Sequence, residues 1–194
     1  KVDKNTYING NARLRSDLVS DRPSHKFPIQ VADNVYVGEA TVDTIMKRIY
    51  DIELKSPVYR YSDLNFVLLM DALEGMTGKH LNDYVETGVF EPIGAYNTMY
   101  TPKEKGVAES RIAPTERDPM LRRQLLRGFV HDELAAFSGG VQGNAGLFST
   151  AEDLAKLAQT WLQGGNYGGV EIFRKPTVAL FTRPSSKDGK GALG

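Results

Sequence analysis

The run Tyr59-Arg60-Tyr61-Ser62-Asp63-Leu64-Asn65-Phe66-Val67-Leu68-Leu69 decides how this chain is read. Phe66, Leu69, Met70 and Leu73 fall at helical spacing, and Leu64, Val67 and Leu68 add a second apolar row. A helix apolar over so much of its circumference is expected in a core. Ser62 suits the N-cap and Asp63 the first turn. Gly75 or Gly78 should end the helix. Tyr61 therefore sits at a helix N-terminus, where partial positive charge favours a phenolate. A phenolate can take a proton from a serine nucleophile, so Tyr61 is a candidate general base.

Outward from this run, Asn34 to Gly38 reads as a short strand. Val42, Ile45, Met46 and Ile49 predict a helix from Thr41, and Lys55-Ser56-Pro57 should break the chain. A short helix carrying Leu81, Tyr84 and Val85 is expected before Phe90-Glu91-Pro92-Ile93-Gly94. Residues 101–148 read as irregular, with a helical turn around Leu121 to Leu126. Ser149 and Glu152 form a capping box ahead of the stripe Leu154, Leu157, Ala158, Trp161 and Leu162. Gly164-Gly165 stops that helix, and Pro176 opens a last one. Residues 1–33 read as loop-rich, with turn or breaker signals at Asn9-Gly10 and Arg22-Pro23. Residues 34–184 read as a partial domain, and 185–194 as a flexible tail. The fold class on this reading is mainly α. Connections this long count against a complete compact unit.

Composition narrows the function. The 194 residues carry 24 Lys+Arg against 24 Asp+Glu, for a net charge of zero. That balance argues against nucleic acid or an anionic membrane surface as partner. There is no cysteine, which excludes disulfides, thiolate nucleophiles and thiolate metal sites. No apolar stretch reaches membrane-spanning length. The chain opens at Lys1, as expected of a processed or internal piece.

Tyr61-Ser62-Asp63 alone is a weak pattern, and Tyr7-Ile8-Asn9 fits it as well. As a bare motif, a helix-start aromatic with a satisfied hydroxyl is the stronger reading. Ser62 suits capping far better than nucleophilic attack. His131-Asp132-Glu133 resembles a metal or acid/base cluster, but no second histidine stands at ligand spacing, so no metal is expected. Gly139 to Gly146 lacks the Gly-Lys-Ser/Thr of a phosphate loop and suits close backbone packing instead. No cofactor is expected.

Three blocks together carry more weight. Tyr61-Ser62-Asp63-Leu64-Asn65-Phe66 is followed by Gly78-Lys79-His80-Leu81 and Val89-Phe90-Glu91-Pro92-Ile93-Gly94. Arg111-Ile112-Ala113-Pro114-Thr115-Glu116 precedes Gly128-Phe129-Val130-His131-Asp132-Glu133. Gly139-Gly140-Val141-Gln142-Gly143-Asn144-Ala145-Gly146-Leu147-Phe148-Ser149-Thr150 leads into Asp153-Leu154-Ala155. In this order the blocks resemble the serine beta-lactamase-like family of class C beta-lactamases, penicillin-binding-protein-like peptidases and related esterases. The branch fused to glycoside hydrolase family three domains in bacterial cell envelopes is the most similar. The resemblance covers roughly residues 35 to 182.

The resemblance implies the central, largely helical portion of an α/β fold, and acyl-serine hydrolysis of an amide or ester. It also implies a small-molecule or peptidoglycan-like acyl substrate and an extracytoplasmic location. Tyr61 would be the base or proton relay and Asp63 a substrate-orienting residue. The family's Ser-x-x-Lys and Lys/His-Thr-Gly motifs are absent. Ser24 is followed at the third position by Phe27, Ser56 by Tyr59 and Ser186 by Gly189. In family order these motifs belong upstream of Lys1 and downstream of Gly194, so the missing partners would be other parts of the same protein. Asp63 also departs from the commoner Asn: an ionised carboxylate only accepts hydrogen bonds. This puts beta-lactam recognition in doubt and leaves peptidase or esterase chemistry open. Tyrosine has a reference pKa of about 10, and a helix end supplies about 0.3–1 kcal/mol, less than one pKa unit. Tyr61 without the missing lysines is therefore expected to be inactive. Two other readings are a non-catalytic accessory domain of a cell-envelope glycoside hydrolase, and a structural fragment that needs the rest of its chain to fold.

Overall fold

The computed structural model describes residues 15–53 and 61–183. Within them the architecture is mixed α/β, where helices alone were expected to dominate. It divides into two compact units. The first comprises residues up to Leu81 together with Tyr100–Leu147, and the second Asn82–Met99 together with Phe148 onward. The predicted turn at Asn9-Gly10, the break at Lys55-Ser56-Pro57, Tyr7-Ile8-Asn9 and the tail lie outside the described residues.

The first unit opens with β1 (Val19–Ser20), β2 (Ile29–Ala32) and β3 (Val35–Val37), in sheet order β1-β3-β2 and antiparallel throughout. The strand expected at Asn34 to Gly38 is β3. The loop reading of the segment before it is corrected, because Ile29 pairs with Val37 across a turn at Asn34, whose φ is 56°. Four-residue strands leave too short a pattern to register as periodic. Helix α1 (Glu39–Tyr50) follows as predicted, and α2 (Leu64–Thr77) ends on Gly78, whose φ of 66° gives the left-handed C-cap. Tyr50 Oη donates to the Asp71 carboxylate and ties α1 to α2.

The expectation of a buried α2 does not hold. Val67 is buried, and Leu64, Met70 and Leu73 are half-buried, but Leu69 is 62% and Met76 87% exposed. Apolar composition cannot tell which face is covered. Only the line Leu64, Val67, Met70 and Leu73 turns inward, drawn from both apolar rows. The core lies elsewhere, between the sheet residues Val31, Ala32, Val35 and Val37 and the later residues Leu126, Val130, Ala135 and Ala136.

Of those later residues, Leu126 lies on a hairpin, and Ala135 and Ala136 lie on the short helix that follows it. The helical turn expected around Leu121 to Leu126 is instead the turn and second strand of β5 (Pro114–Asp118) and β6 (Gln124–Arg127). The Asp118 carboxylate accepts from the N–H groups of Met120, Leu121 and Arg122 at 2.8, 2.9 and 3.0 Å, and Arg123 takes a φ of 53°. Together these reverse the chain, since an aspartate folded onto the following amides competes with a helix. Gln124 then bridges hairpin and sheet: its Oε1 accepts from Asp33 N at 3.0 Å, and its Nε2 donates to the Asp33 carbonyl at 3.0 Å. A short helix α4 (Glu133–Phe137) closes this part, after α3 (Leu81–Val85).

Strands β4 (Met99–Tyr100) and β7 (Leu147–Phe148) mark where the chain passes between units. The second unit gathers Phe90, Ile93 and Ala95 around Leu157, Tyr167 and Ile172. Its main helix, α5 (Ala151–Leu162), is capped one position later than the capping box predicts: Thr150 Oγ1 accepts from Asp153 N at 3.3 Å. The predicted stripe is also displaced. Leu154 and Leu162 are 51% and 81% exposed, whereas Asp153 and Thr160 are buried and Leu157 and Trp161 half-buried. A polar network, described below, takes the inward face. Trp161 stacks on Phe173, with ring centroids 5.0 Å apart. Gly165, with φ of 100°, lets the chain turn so tightly that a Cβ there would lie 1.9 Å from the Phe173 carbonyl oxygen. The turn leads through β8 (Asn166–Tyr167) and β9 (Val170–Glu171) to α6 (Lys175–Phe181), with Pro176 in its first turn. No helix among the described residues is long and apolar enough to cross a membrane.

Candidate active site

Tyr61 stands just ahead of α2 and is 81% exposed. Asp63, not Ser62, occupies the N-cap position, with helical dihedrals and no side-chain cap bond. Ser62 Oγ instead accepts from Leu64 N at 3.3 Å. The phenol thus stands exposed at a helix start. The Asp63 carboxylate beside it is not spent on capping. Arg60, the nearest cation in sequence, lies outside the described residues.

A second element of the same unit packs against this helix. At Gly143 the chain passes so close to α2 that a Cβ would sit 2.1 Å from the Phe66 carbonyl oxygen and 3.2 Å from Met70 Cβ. At Gly146, a Cβ would lie 2.3 Å from the Gly140 carbonyl oxygen. This supports the sequence reading of Gly139 to Gly146 as a close-packing segment. Tyr100 anchors it, its hydroxyl donating to the Gln142 carbonyl at 3.2 Å, and burial pushes the Tyr100 phenol up from its ordinary range. Tyr100 is thus a neutral structural phenol. Next to it, Thr101 adopts a φ of 44° with its Cγ2 against Gly140. A β-branched residue there costs on the order of 1–3 kcal/mol.

Polar side chains in this segment are incompletely paired. Among the described residues, Ser138 Oγ, Gln142 Nε2 and Asn144 Oδ1 are buried without a hydrogen-bond partner. Gln142 Oε1 accepts from Gly143 N at 3.2 Å, and Asn144 Nδ2 donates to Asp132 Oδ1 at 3.4 Å. The sequence reading passed over both carboxamides. Two amides set among closely spaced glycines are the signal that could have found them.

His131-Asp132-Glu133 is structural. Asp132 caps α4 by accepting from Ala135 N at 2.7 Å, and the His131 carbonyl accepts from the Arg122 guanidinium. No group of three or more metal-ligating side chains occurs among the described residues.

Comparison with known proteins gives this arrangement a context. The family model described as Beta-lactamase matches residues 15–192. A protein of Escherichia coli K12 named "Putative D-alanyl-D-alanine carboxypeptidase" is 43% identical over 145 residues, covering 69% of this chain and 33% of that protein. Its Salmonella typhi counterpart is equally similar, over 34% of its length. The chain therefore spans about a third of the length of these relatives. The solved octameric penicillin-binding protein homologue of Pyrococcus abyssi superposes with a TM-score of 0.52 at 16% identity, over 76% of this chain and 32% of that one. With a family model matched along almost its whole length and a fold shared with a penicillin-binding protein homologue, the chain belongs to the beta-lactamase family.

Proposed function

We propose that this chain is the Tyr61-bearing part of a serine acyl hydrolase that cleaves a peptide ending in D-alanyl-D-alanine or a related amide. The observation that carries this reading is Tyr61 itself, exposed directly ahead of α2 within a chain matched by the family model from residue 15 to 192. Tyr61 is the proton relay to a serine, and Asp63 orients the substrate. The names of the relatives point to the peptide substrate, and the acceptor-only carboxylate of Asp63 suits it better than a beta-lactam. The chain by itself forms no acyl-enzyme, because it holds no Ser-x-x-Lys nucleophile.

Mass spectrometry after exposure to a penicillin or a fluorophosphonate tests the last point, with no adduct expected on the isolated chain. A stoichiometric adduct would refute it. A chimera tests the rest. With residues 61–182 replacing the corresponding stretch of the Escherichia coli relative, fluorophosphonate labelling should persist. Tyr61→Phe in that chimera should slow it by about 10²–10⁴-fold, the usual contribution of a positioned acid or base. A Tyr61→Phe chimera that labels at the unmodified rate would remove Tyr61 from the mechanism and favour the accessory-domain reading.

A further inference from the structure

Burying a donor or acceptor without a partner is costly, so such atoms call for an explanation. Here they sit together. Gln142 is 1% exposed, and its Oε1 is engaged by Gly143 N, which leaves Nε2 as a free donor. Asn144 has its Nδ2 engaged by Asp132, which leaves Oδ1 as a free acceptor. Asp132 is itself fixed by its capping bond to Ala135 N. One spare donor and one spare acceptor, two residues apart, complement the C=O and N–H of a peptide group.

Their placement suits the reaction. Gly143, between them, rests on the Phe66 carbonyl in the first turn of the helix that Tyr61 precedes. Asp63, at that helix start, can only accept, so a donor for a substrate carbonyl has to come from another residue. Gln142 Nε2 is such a donor.

We propose that Gln142 and Asn144 form a peptide-group subsite. Gln142 Nε2 donates to the carbonyl oxygen of a peptide-like substrate, and Asn144 Oδ1 accepts from its N–H. This inference rests on the acyl-hydrolase reading above. Both atoms are closed to solvent, so the segment has to open for the substrate to reach them. Gly139, Gly140 and Gly146, all at positive φ, bracket the segment, and the 3.4 Å Asn144–Asp132 bond is a weak tie.

The test is binding to the full chain, which separates recognition from turnover. Calorimetric and NMR titration would compare N-acetyl-D-alanyl-D-alanine with its ester analogue N-acetyl-D-alanyl-D-lactate, which keeps the carbonyl and lacks the N–H. The chain should bind the amide about tenfold more tightly, the equivalent of one hydrogen bond. Asn144→Leu should abolish that preference, and Asn144→Gln, which keeps an acceptor, should retain part of it. Gln142→Met should weaken both ligands alike by about tenfold. Neither Asn144→Leu nor Gln142→Met should move the thermal midpoint by more than a few degrees, since each loses a single long hydrogen bond, to Asp132 at 3.4 Å or from Gly143 N at 3.2 Å, along with an atom that has no partner in the fold.

Equal binding of amide and ester, with the Tyr61 resonances shifting, would overturn the subsite and leave the acyl-hydrolase reading standing. Binding of neither would overturn the subsite, while the acyl-hydrolase reading stands or falls with the chimera. A large fall in thermal midpoint with the amide preference intact would assign the two carboxamides a structural role and overturn the proposal.

Discussion

Arg122→Ala is expected to lower the unfolding free energy by about 3 kcal/mol, the lower end of the 3–5 kcal/mol lost when a buried ion pair loses one partner. The Arg122 side chain is fully buried, and Asp118 is 3% exposed. The guanidinium serves three acceptors. Nε donates to Asp118 Oδ2 at 2.8 Å, Nη1 to the Val130 carbonyl at 2.6 Å, and Nη2 to the His131 carbonyl. Truncation orphans both carbonyls and leaves Asp118 to its three backbone N–H donors, which is why the lower figure applies. The effect should also depend on pH. Burial pushes the Asp118 carboxyl up, but the Arg122 hydrogen bond and the amides of Leu121, Met120 and Arg122 outweigh it and hold the group down at about 2. A carboxyl lower in the folded than in the unfolded state stabilises the fold fully above its unfolded value of about 4. That stabilisation, about 2 kcal/mol, is lost as pH falls from about 4 toward 2. Urea unfolding at neutral pH and near pH 2.5 checks both statements. The deficit of Arg122→Ala should be large at pH 7 and shrink in acid. An equal deficit at both pH values would mean that lost packing, not charge, accounts for it.

That ion pair also shows where sequence reading stops. Arg122 falls in Asp118-Pro119-Met120-Leu121-Arg122-Arg123, whose leucine and arginines suit a helix. Only the carboxylate of Asp118, folded onto the following amides, makes the segment a hairpin turn, and nothing in a local periodicity reports that. Helices α1 and α3 were legible from apolar residues at helical spacing, and α6 from the proline at its start. The extent of α2 was equally legible, through Gly78, but not its burial. Composition measures how apolar a helix is and not what stands opposite it. In the candidate site, Tyr61 and Asp63 were visible because a motif and a helix start coincide. The packing of Gly143 on Phe66 joins residues far apart in sequence, and only the fold brings them together.

The second unit shows the same limit and carries the other large expected effect. Asp153→Ala should cost about 1.5–3 kcal/mol, the loss expected when a buried charged acceptor is taken from its hydrogen bonds. Asp153 is 1% exposed, and its Oδ2 accepts from Asn97 N at 2.7 Å and Thr98 Oγ1 at 3.3 Å. Its Oδ1 accepts from Lys156 Nζ at 3.0 Å, and the same ammonium donates to the Gly94 carbonyl at 2.6 Å. One carboxylate thus ties the loop of residues 94–98 to the first turn of α5, and this network displaces the apolar stripe from the inward face. Burial alone would raise the Asp153 carboxyl, but Lys156, the Asn97 amide and Thr98 together hold it below its ordinary range. Its contribution therefore has the same sign as that of Asp118, present at neutral pH and lost in acid. Asp153→Asn separates charge from shape: one oxygen can still accept from Asn97, but the amide no longer neutralises Lys156. It should be less damaging than alanine and should lose most of the acid dependence. Amide hydrogen exchange locates the effect. Asn97 and Thr98 should exchange faster in Asp153→Ala, while Leu126, Val130 and Ala135, in the core of the first unit, keep their protection. Faster exchange at those core amides as well would show that the loop tie of the second unit also supports the first.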